Sequence, residues 1–293
     1  MQTQDPKTLF SILKLLSHHS KKSFIATSFN QTSLDANQLP SDYSFQTYIQ
    51  EQFATPQEHR FSPLAPSELL TASHHTPFTE EDVDTAVGSL KNKAIGLDML
   101  SARLLKLPCV RAKVVPKITA AFNDWQEHAT CPHYLKSAKI IPLSKQNTEY
   151  PDVGQIRLIA ILPAISKVYE KCILRRLDDE ITALGGLHPS QTGFTKGKST
   201  LHNIDAMSII VKKAREVARA ERTREKKPEL RRRQYICLFD FTKAFDSLLK
   251  PILKTALCAL GVSPSTVQTI QVLLTGTNGA INDQEVQFLK GIP

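Results

Sequence analysis

The residue with the clearest chemical potential is an aspartate that directly follows a short apolar run. The run is Tyr-Ile-Cys-Leu-Phe at residues 235–239, and Asp240 comes next. Such a run predicts a buried strand, which would hold the Asp240 carboxylate at a rigid sheet edge. A carboxylate held in this way can bind Mg²⁺ between an attacking hydroxyl and a substrate phosphate. Taken alone, the segment fits better with Asp240 or Asp246 capping the next helix.

Positive charge is concentrated in one stretch of the sequence. The chain has 37 Lys and Arg against 28 Asp and Glu, a net charge of +9. Residues 211–233 alone carry eleven Lys and Arg against four Glu. This excess predicts a polyanionic partner, bound through phosphate contacts of Lys212, Lys213, Arg231, Arg232 and Arg233. The alternative is a solvated insertion helix whose charges form ion pairs one turn apart.

The rest of the composition restricts the class of protein. The five cysteines are scattered and never spaced as C-x-x-C, so neither a zinc site nor a disulfide framework is indicated. No apolar run reaches the length of a membrane span, and the first residues lack the apolar core of a signal peptide. We therefore expect an intracellular chain without a membrane partner. The sequence does not distinguish nucleus from cytoplasm and leaves the oligomeric state open.

Hydrophobic periodicity predicts a mixture of helices and a few strands, hence an α+β fold. Residues 1–76 are rich in polar residues and are predicted to be a variable, partly disordered leader. Thr79 followed by three acidic residues fits a capped helix over 79–91. A strand is predicted over 137–143. Further helices are predicted over 102–106, 112–128 and 163–184, in the basic segment up to Pro228, from Asp246 or Ser247, and from Pro264.

Five short blocks follow one another along the chain. They are Lys93–Asp98, Ala138–Lys145, Ile156–Lys171, Gln191–Thr200 and Phe239–Asp246. The last reads D-F-T-K-A-F-D from Asp240, which resembles the D-F-x-K-A-F-D of motif A in reverse transcriptases of LINE-type (non-LTR) retrotransposons. The other four resemble blocks of the same family in the same order. The resemblance extends from about Phe78 to Pro293.

The resemblance implies a right-hand polymerase fold, with fingers over 77–234, including the basic insertion 211–233, and the start of the palm over 235–293. Asp240 would be the catalytic, metal-binding aspartate, and Phe245 would pack beneath the incoming sugar. Arg157 and Lys167 would contact the template or the nucleotide triphosphate, with isolated solvated charges as the alternative. The implied partners are an RNA template, a DNA primer, deoxynucleoside triphosphates and Mg²⁺.

Some positions depart from the family pattern. Leu158 stands where the family has proline, and Thr195 where it has arginine. Residues 289–293 resemble the opening of motif B, and the paired aspartates of motif C are not in the sequence. The expectation is therefore a reverse transcriptase fragment that is inactive as an isolated chain. The alternatives are a non-catalytic basic nucleic-acid-binding remnant or interaction protein, and a degenerate fragment without a selected function.

Overall fold

A computed structural model describes residues 24–54, 75–225, 235–241, 244–281 and 284–288. These residues divide into two compact units. The first unit lies within 1–177 and 245–293, and the second lies within 178–244. No helix among the described residues is long and apolar enough to cross a membrane.

The first unit is built on a four-stranded mixed sheet. The strands are β1 (Ser137–Ser144), β2 (Ile156–Ile161), β3 (Asn278–Ile281) and β4 (Gln284–Gln287). Their order in space is β2-β1-β3-β4. The β1–β2 and β3–β4 pairs are antiparallel, whereas β1 and β3 are parallel. The predicted strand over 137–143 is confirmed.

Nine helices are described. They are α1 (Gln31–Ala36), α2 (Phe45–Ile49), α3 (Glu80–Ser89), α4 (Ala102–Lys106), α5 (Pro108–Glu127), α6 (Ala164–Ala183), α7 (Thr200–Glu225), α8 (Lys250–Ala259) and α9 (Pro264–Leu274). A π-helical turn, Gln50–Ala54, follows α2, and a 3-10 turn, His133–Lys136, precedes β1. The predicted helices over 79–91, 102–106, 112–128 and 163–184 and from Pro264 are confirmed to within a few residues. The basic segment is helical as far as Glu225, but α7 begins eleven residues before it.

The capping box at Thr79 shows why local sequence was sufficient for α3. The Thr79 hydroxyl accepts from the backbone N–H of Asp82, and the Asp82 carboxylate accepts from the Thr79 N–H. Two of the N–H groups at the start of the helix are thereby satisfied without any distant residue.

An aromatic cluster holds the helices of the first unit together. Phe78, Phe122, Trp125 and Tyr169 pack with ring centroids 4.6 Å apart for Phe122 and Tyr169 and 5.7 Å apart for Trp125 and Tyr169. Phe122 and Tyr169 are almost completely buried. The Arg176 guanidinium lies 4.0 Å from the centre of the Phe78 ring. The cluster fixes α5 against α6.

The described part of the predicted leader, residues 24–54, belongs to the core instead. Phe29 and Phe45 meet edge to face at 4.5 Å, and Phe53 meets Phe288 at 4.8 Å. These rings pack over the sheet face that carries Ile140. The aromatic residues of 24–54 are irregularly spaced, so the sequence shows no helical or strand periodicity there. The sheet surface that they cover forms only when strands distant in the sequence come together. The rest of the predicted leader, apart from 75–76, lies outside the described residues.

Two predictions about residues 235–247 are wrong, namely the strand before Asp240 and the start of the next helix. Residues 235–239 form no strand, and the Phe239 side chain is 92% exposed. In the described structure the sheet consists of four other segments, so no neighbouring strand bonds this backbone.

The next helix, α8, begins at Lys250, not at Asp246 or Ser247, and has no side-chain cap. With Ser247 as the cap, Pro251 would stand where a backbone N–H must close the first turn, whereas proline suits the start of a helix. None of the side chains of α8 is fully buried.

Candidate functional site

Arg157 lies on β2, the edge strand of the sheet. It stands opposite Leu143 in the antiparallel register with β1, and it is exposed to solvent. Its neighbour Ile156 is buried. The alternation along the strand therefore directs the Arg157 guanidinium away from the core.

Lys167 lies in the first turn of α6, only ten residues after Arg157. Its backbone N–H donates to the carbonyl of Pro163 at 3.1 Å, and its side chain is half-buried. The adjacent residues Ser166 and Val168 are buried, and the Ser166 hydroxyl donates to the carbonyl of Leu135 at 2.8 Å. The helix that carries Lys167 is therefore joined at its first turn to the 3-10 turn that precedes β1.

A distant aspartate caps α6, a role that the sequence analysis did not assign. Asp98 Oδ2 accepts from the backbone N–H of Ala164 at 2.6 Å, and Oδ1 accepts from the N–H of Leu100 at 3.3 Å. The turn approaches closely because Gly96 has no Cβ, which would lie 2.6 Å from the carbonyl oxygen of Leu162. The G-x-D spacing within the block Lys93–Asp98 is the sequence feature from which this cap could have been predicted.

Glu170 lies one turn after Lys167 on the same helix. Burial raises the pKa of its carboxyl to about 7, although the Lys167 ammonium opposes the rise. Desolvation disfavours the charged form of a carboxyl group, so this group exchanges its proton near neutral pH. Among the described residues, it is the only carboxyl whose pKa burial raises to this extent.

Asp240, the predicted catalytic residue, lies in an irregular, exposed segment of the second unit. Leu238 on one side and Phe241 on the other are 87% and 81% exposed. Phe245 lies in a turn of the first unit and is 61% exposed. Arg157 and Lys167 belong to the first unit as well, so no arrangement of Asp240 with these residues is described.

The basic side chains of α7 that the structure describes, between residues 212 and 219, are exposed to solvent. Lys212 and Lys213 are exposed, and Lys213 pairs with Glu216 at 3.5 Å. One of the expected one-turn ion pairs is thus present, whereas Lys212 forms none with the residues that the structure describes. Arg231, Arg232 and Arg233 lie outside the described residues. A nucleic-acid contact at these positions stays a prediction.

Two further lysines hold the β3–β4 hairpin, and nothing in the sequence pattern indicated them. Lys250 Nζ donates to Thr277 Oγ1 and to the carbonyl of Phe288, both at 2.6 Å. Lys136 Nζ donates to the carbonyl of Thr275 at 3.0 Å. Burial, with the nearby Lys136 charge, lowers the pKa of Lys250 to about 8. Both ammonium groups thus fasten the hairpin from which residues 289–293 continue.

The described residues do not fit a Mg²⁺ site. Within them, no group of three or more His, Cys, Asp or Glu side chains could hold a metal ion. Mg²⁺ in phosphoryl-transfer sites is usually held by more than one carboxylate together with substrate phosphates. Asp240 alone does not meet that requirement.

Comparison with known proteins agrees with the resemblance of the five blocks. The family described as reverse transcriptase (RNA-dependent DNA polymerase) matches residues 143–293. The RNA-directed DNA polymerase from mobile element jockey of Drosophila funebris is 26% identical over 268 residues, covering 83% of this chain and 27% of the relative. The jockey polymerase of Drosophila melanogaster is 29% identical over 153 residues, covering 52% of this chain and 16% of the relative.

A third relative is the probable RNA-directed DNA polymerase from transposon X-element of Drosophila melanogaster. It is 30% identical over 131 residues, covering 44% of this chain and 14% of the relative. The chain thus spans between 14% and 27% of the length of these three relatives.

Because the family match covers just over half of its residues, the chain belongs to the reverse transcriptase family. More particularly, it is a reverse transcriptase domain of the kind found in LINE-type (non-LTR) retrotransposons. The predicted family is thereby confirmed, and the mixed helix and sheet architecture agrees with the predicted α+β class. The division into fingers and palm stays a prediction.

Removing the distant cap should destabilise the first unit. We expect Asp98→Ala to lower the free energy of unfolding by about 0.5–2 kcal/mol, because the first turn of α6 loses its acceptor. The Asp98→Asn variant should lose much less unfolding free energy, since its side-chain amide oxygen can also accept a hydrogen bond from the backbone N–H of Ala164. Urea unfolding followed by the fluorescence of Trp125, the only tryptophan, measures both. Asp179→Ala removes an equal charge from the exposed side of the same helix and serves as the control. Equal effects of Ala and Asn at position 98 would contradict the cap.

Glu170 should make stability depend on pH in the acidic range. In the folded protein its carboxyl stays protonated up to about pH 7, whereas its ordinary pKa is 4.5. Between these two pH values, unfolding releases a proton from Glu170. The contribution of Glu170 to the free energy of unfolding is therefore complete below pH 4.5 and is lost as pH rises through 7. The total change is at most about 3 kcal/mol. It is measured as the difference in unfolding free energy between the wild type and Glu170→Gln from pH 4.5 to 7.5. A difference that does not vary with pH would refute this assignment.

Proposed function

We propose that this chain is the part of an RNA-directed DNA polymerase that binds the template–primer and the incoming nucleotide. The observation that carries the proposal is the anchored connection from β2 to α6. It presents Arg157 and Lys167 ten residues apart, and Asp98 and Gly96 fasten the helix that follows it. Cations on a rigid support can bind phosphate without first losing conformational entropy.

The proposed roles follow the family motifs. Asp240 is the metal-binding, catalytic carboxylate, and Phe245 packs beneath the sugar of the incoming nucleotide. Asp240 would be one of the residues that hold Mg²⁺, and the ion would supply positive charge at the reacting phosphate. Among the described residues no group of three or more His, Cys, Asp or Glu side chains could hold a metal ion, so this role requires further carboxylates beside Asp240.

The charge of the chain supports nucleic-acid partners. Lys212 and Lys213 lie exposed on α7, and the sequence continues to Arg231, Arg232 and Arg233. We propose that these residues contact the phosphates of the RNA template and the DNA primer without reading sequence. Such contacts fix the position of the nucleic-acid backbone but do not distinguish one base from another.

The isolated chain should bind an RNA–DNA duplex with strong salt dependence. Each lost cation–phosphate contact should reduce the slope of log affinity against log salt by about 0.9. We expect a reduction of about 2 for Arg157→Ala with Lys167→Ala, and of about 3 for Arg231, Arg232 and Arg233 all changed to Ala. Fluorescence anisotropy of a labelled duplex at four salt concentrations measures the slope.

The matched control replaces Lys113 and Lys117, which are exposed on α5 and have no proposed contact. It removes as much charge as the Arg157 and Lys167 variant. If the control lowers the slope equally, net charge alone explains the binding. If neither proposed set changes the slope, these residues do not contact the nucleic acid.

The 293-residue chain alone should show no primer extension with Mg²⁺ or Mn²⁺. Two-metal phosphoryl transfer needs carboxylates from more than one strand, and losing the metal clamp typically reduces the rate by orders of magnitude. The measurement is elongation of a labelled DNA primer on an RNA template, with a known reverse transcriptase as positive control. Extension that disappears in Asp240→Ala would show that the active site is complete in this chain. Extension that survives Asp240→Ala would indicate a contaminating polymerase.

A further inference from the structure

The loop between α6 and α7, residues 184–199, presents a phenylalanine to solvent. The Phe194 side chain is 97% exposed, and no large hydrophobic side chain in the described part of the chain is more exposed. A ring that is this exposed buries very little apolar area, so burial in the core does not explain its position.

Hydrogen bonds within the loop hold Phe194 in this position. Lys198 Nζ donates to the carbonyls of Pro189 and Gln191 at 2.7 and 3.2 Å. Thr195 Oγ1 lies 3.0 Å from the carbonyl of Gln191 and 3.3 Å from that of Gly193. Phe194 itself has a φ of +56°, a left-handed conformation that is unfavourable for a residue with a Cβ. The ring is thus displayed by a fixed loop.

The surroundings of Phe194 are cationic and polar. Residues 181–204 contain no Asp or Glu, but they contain Lys196, Lys198 and two histidines. Phe194 is flanked in the chain by Gly193 and Thr195, neither of which carries a large apolar side chain. The positive charge of the loop favours a polyanion as the ligand.

We propose that Phe194 is a stacking platform for an unpaired base of single-stranded nucleic acid, with the adjacent phosphates attracted by Lys196. The ligand is single-stranded because the faces of paired bases in a duplex are already covered by their neighbours. Stacking on an aromatic ring tolerates any base, so the site should show little sequence preference. This inference rests on the proposed nucleic-acid binding and adds a contact that the basic residues cannot make.

The test measures anisotropy with a labelled single-stranded RNA of mixed sequence and with a duplex of the same sequence. Phe194→Ala should weaken binding of the single strand by about 5- to 150-fold, the loss typical of one stacked base. Phe194→Leu should lose nearly as much although it stays apolar, whereas Phe194→Trp should bind as well as the wild type. Duplex affinity and the salt slope should stay unchanged, because no charge is removed.

Tyr150→Ala is the matched control. Tyr150 is also an exposed aromatic residue in a loop, but it lies next to Glu149 and close to Asp152, so its removal should not weaken binding. Wild-type binding of the single strand with no loss in Phe194→Ala overturns the stacking site and leaves the proposed function standing. Full retention by Phe194→Leu also overturns it, because a hydrophobic contact would then suffice. No binding of either nucleic acid by the wild type overturns both proposals.

Discussion

The hydrogen bond from the N–H of Ala164 to the carboxylate of Asp98 positions the start of α6, which contributes several residues to the helical core of the first unit. It ties a turn far back in the sequence to the start of α6. That helix supplies Val168, Tyr169 and Cys172 to the core, and Arg175 pairs with Asp82 at the start of α3 at 3.4 Å. Because Val168 and Tyr169 lie within two turns of Ala164, the direction of the first turn of α6 also orients these core residues. The position of Lys167 follows from the same bond.

Buried charge is the second constraint. Glu170 and Lys250 are both withdrawn from water, and in each case burial shifts the pKa towards the neutral form. Lys250 offsets part of that cost with two hydrogen bonds to the β3–β4 hairpin. Glu170 has only the opposing charge of Lys167 to favour its ionised form. Residues that cost stability in this way are more often kept for a functional site than for folding, although structural networks also contain them.

The sequence was sufficient to predict structural features that depend on residues close together in the chain. The capping box at Thr79 and the strand over 137–143 were found because their signals lie within a few positions of the chain. The core role of residues 24–54 was missed, since it depends on a sheet whose strands begin at residue 137 and are therefore distant in the sequence. The hydrogen bonds of Lys250 were missed for the same reason. At the candidate site, Arg157 and Lys167 were predicted from the family resemblance, whereas the Asp98 cap of the helix that carries Lys167 was not predicted.

The segment around Asp240 was predicted from its own apolar run, and the structure shows why that signal was insufficient. A strand is stable only when a neighbour bonds its backbone and covers its side chains. Leu238, Phe239 and Phe241 are each more than 80% exposed, and covering one such side chain is worth about 1.5–3 kcal/mol. Pairing this segment with another strand would therefore be favourable. Under the role proposed for Asp240, the same pairing would also fix the position of its carboxylate, because Asp240 follows this apolar run directly.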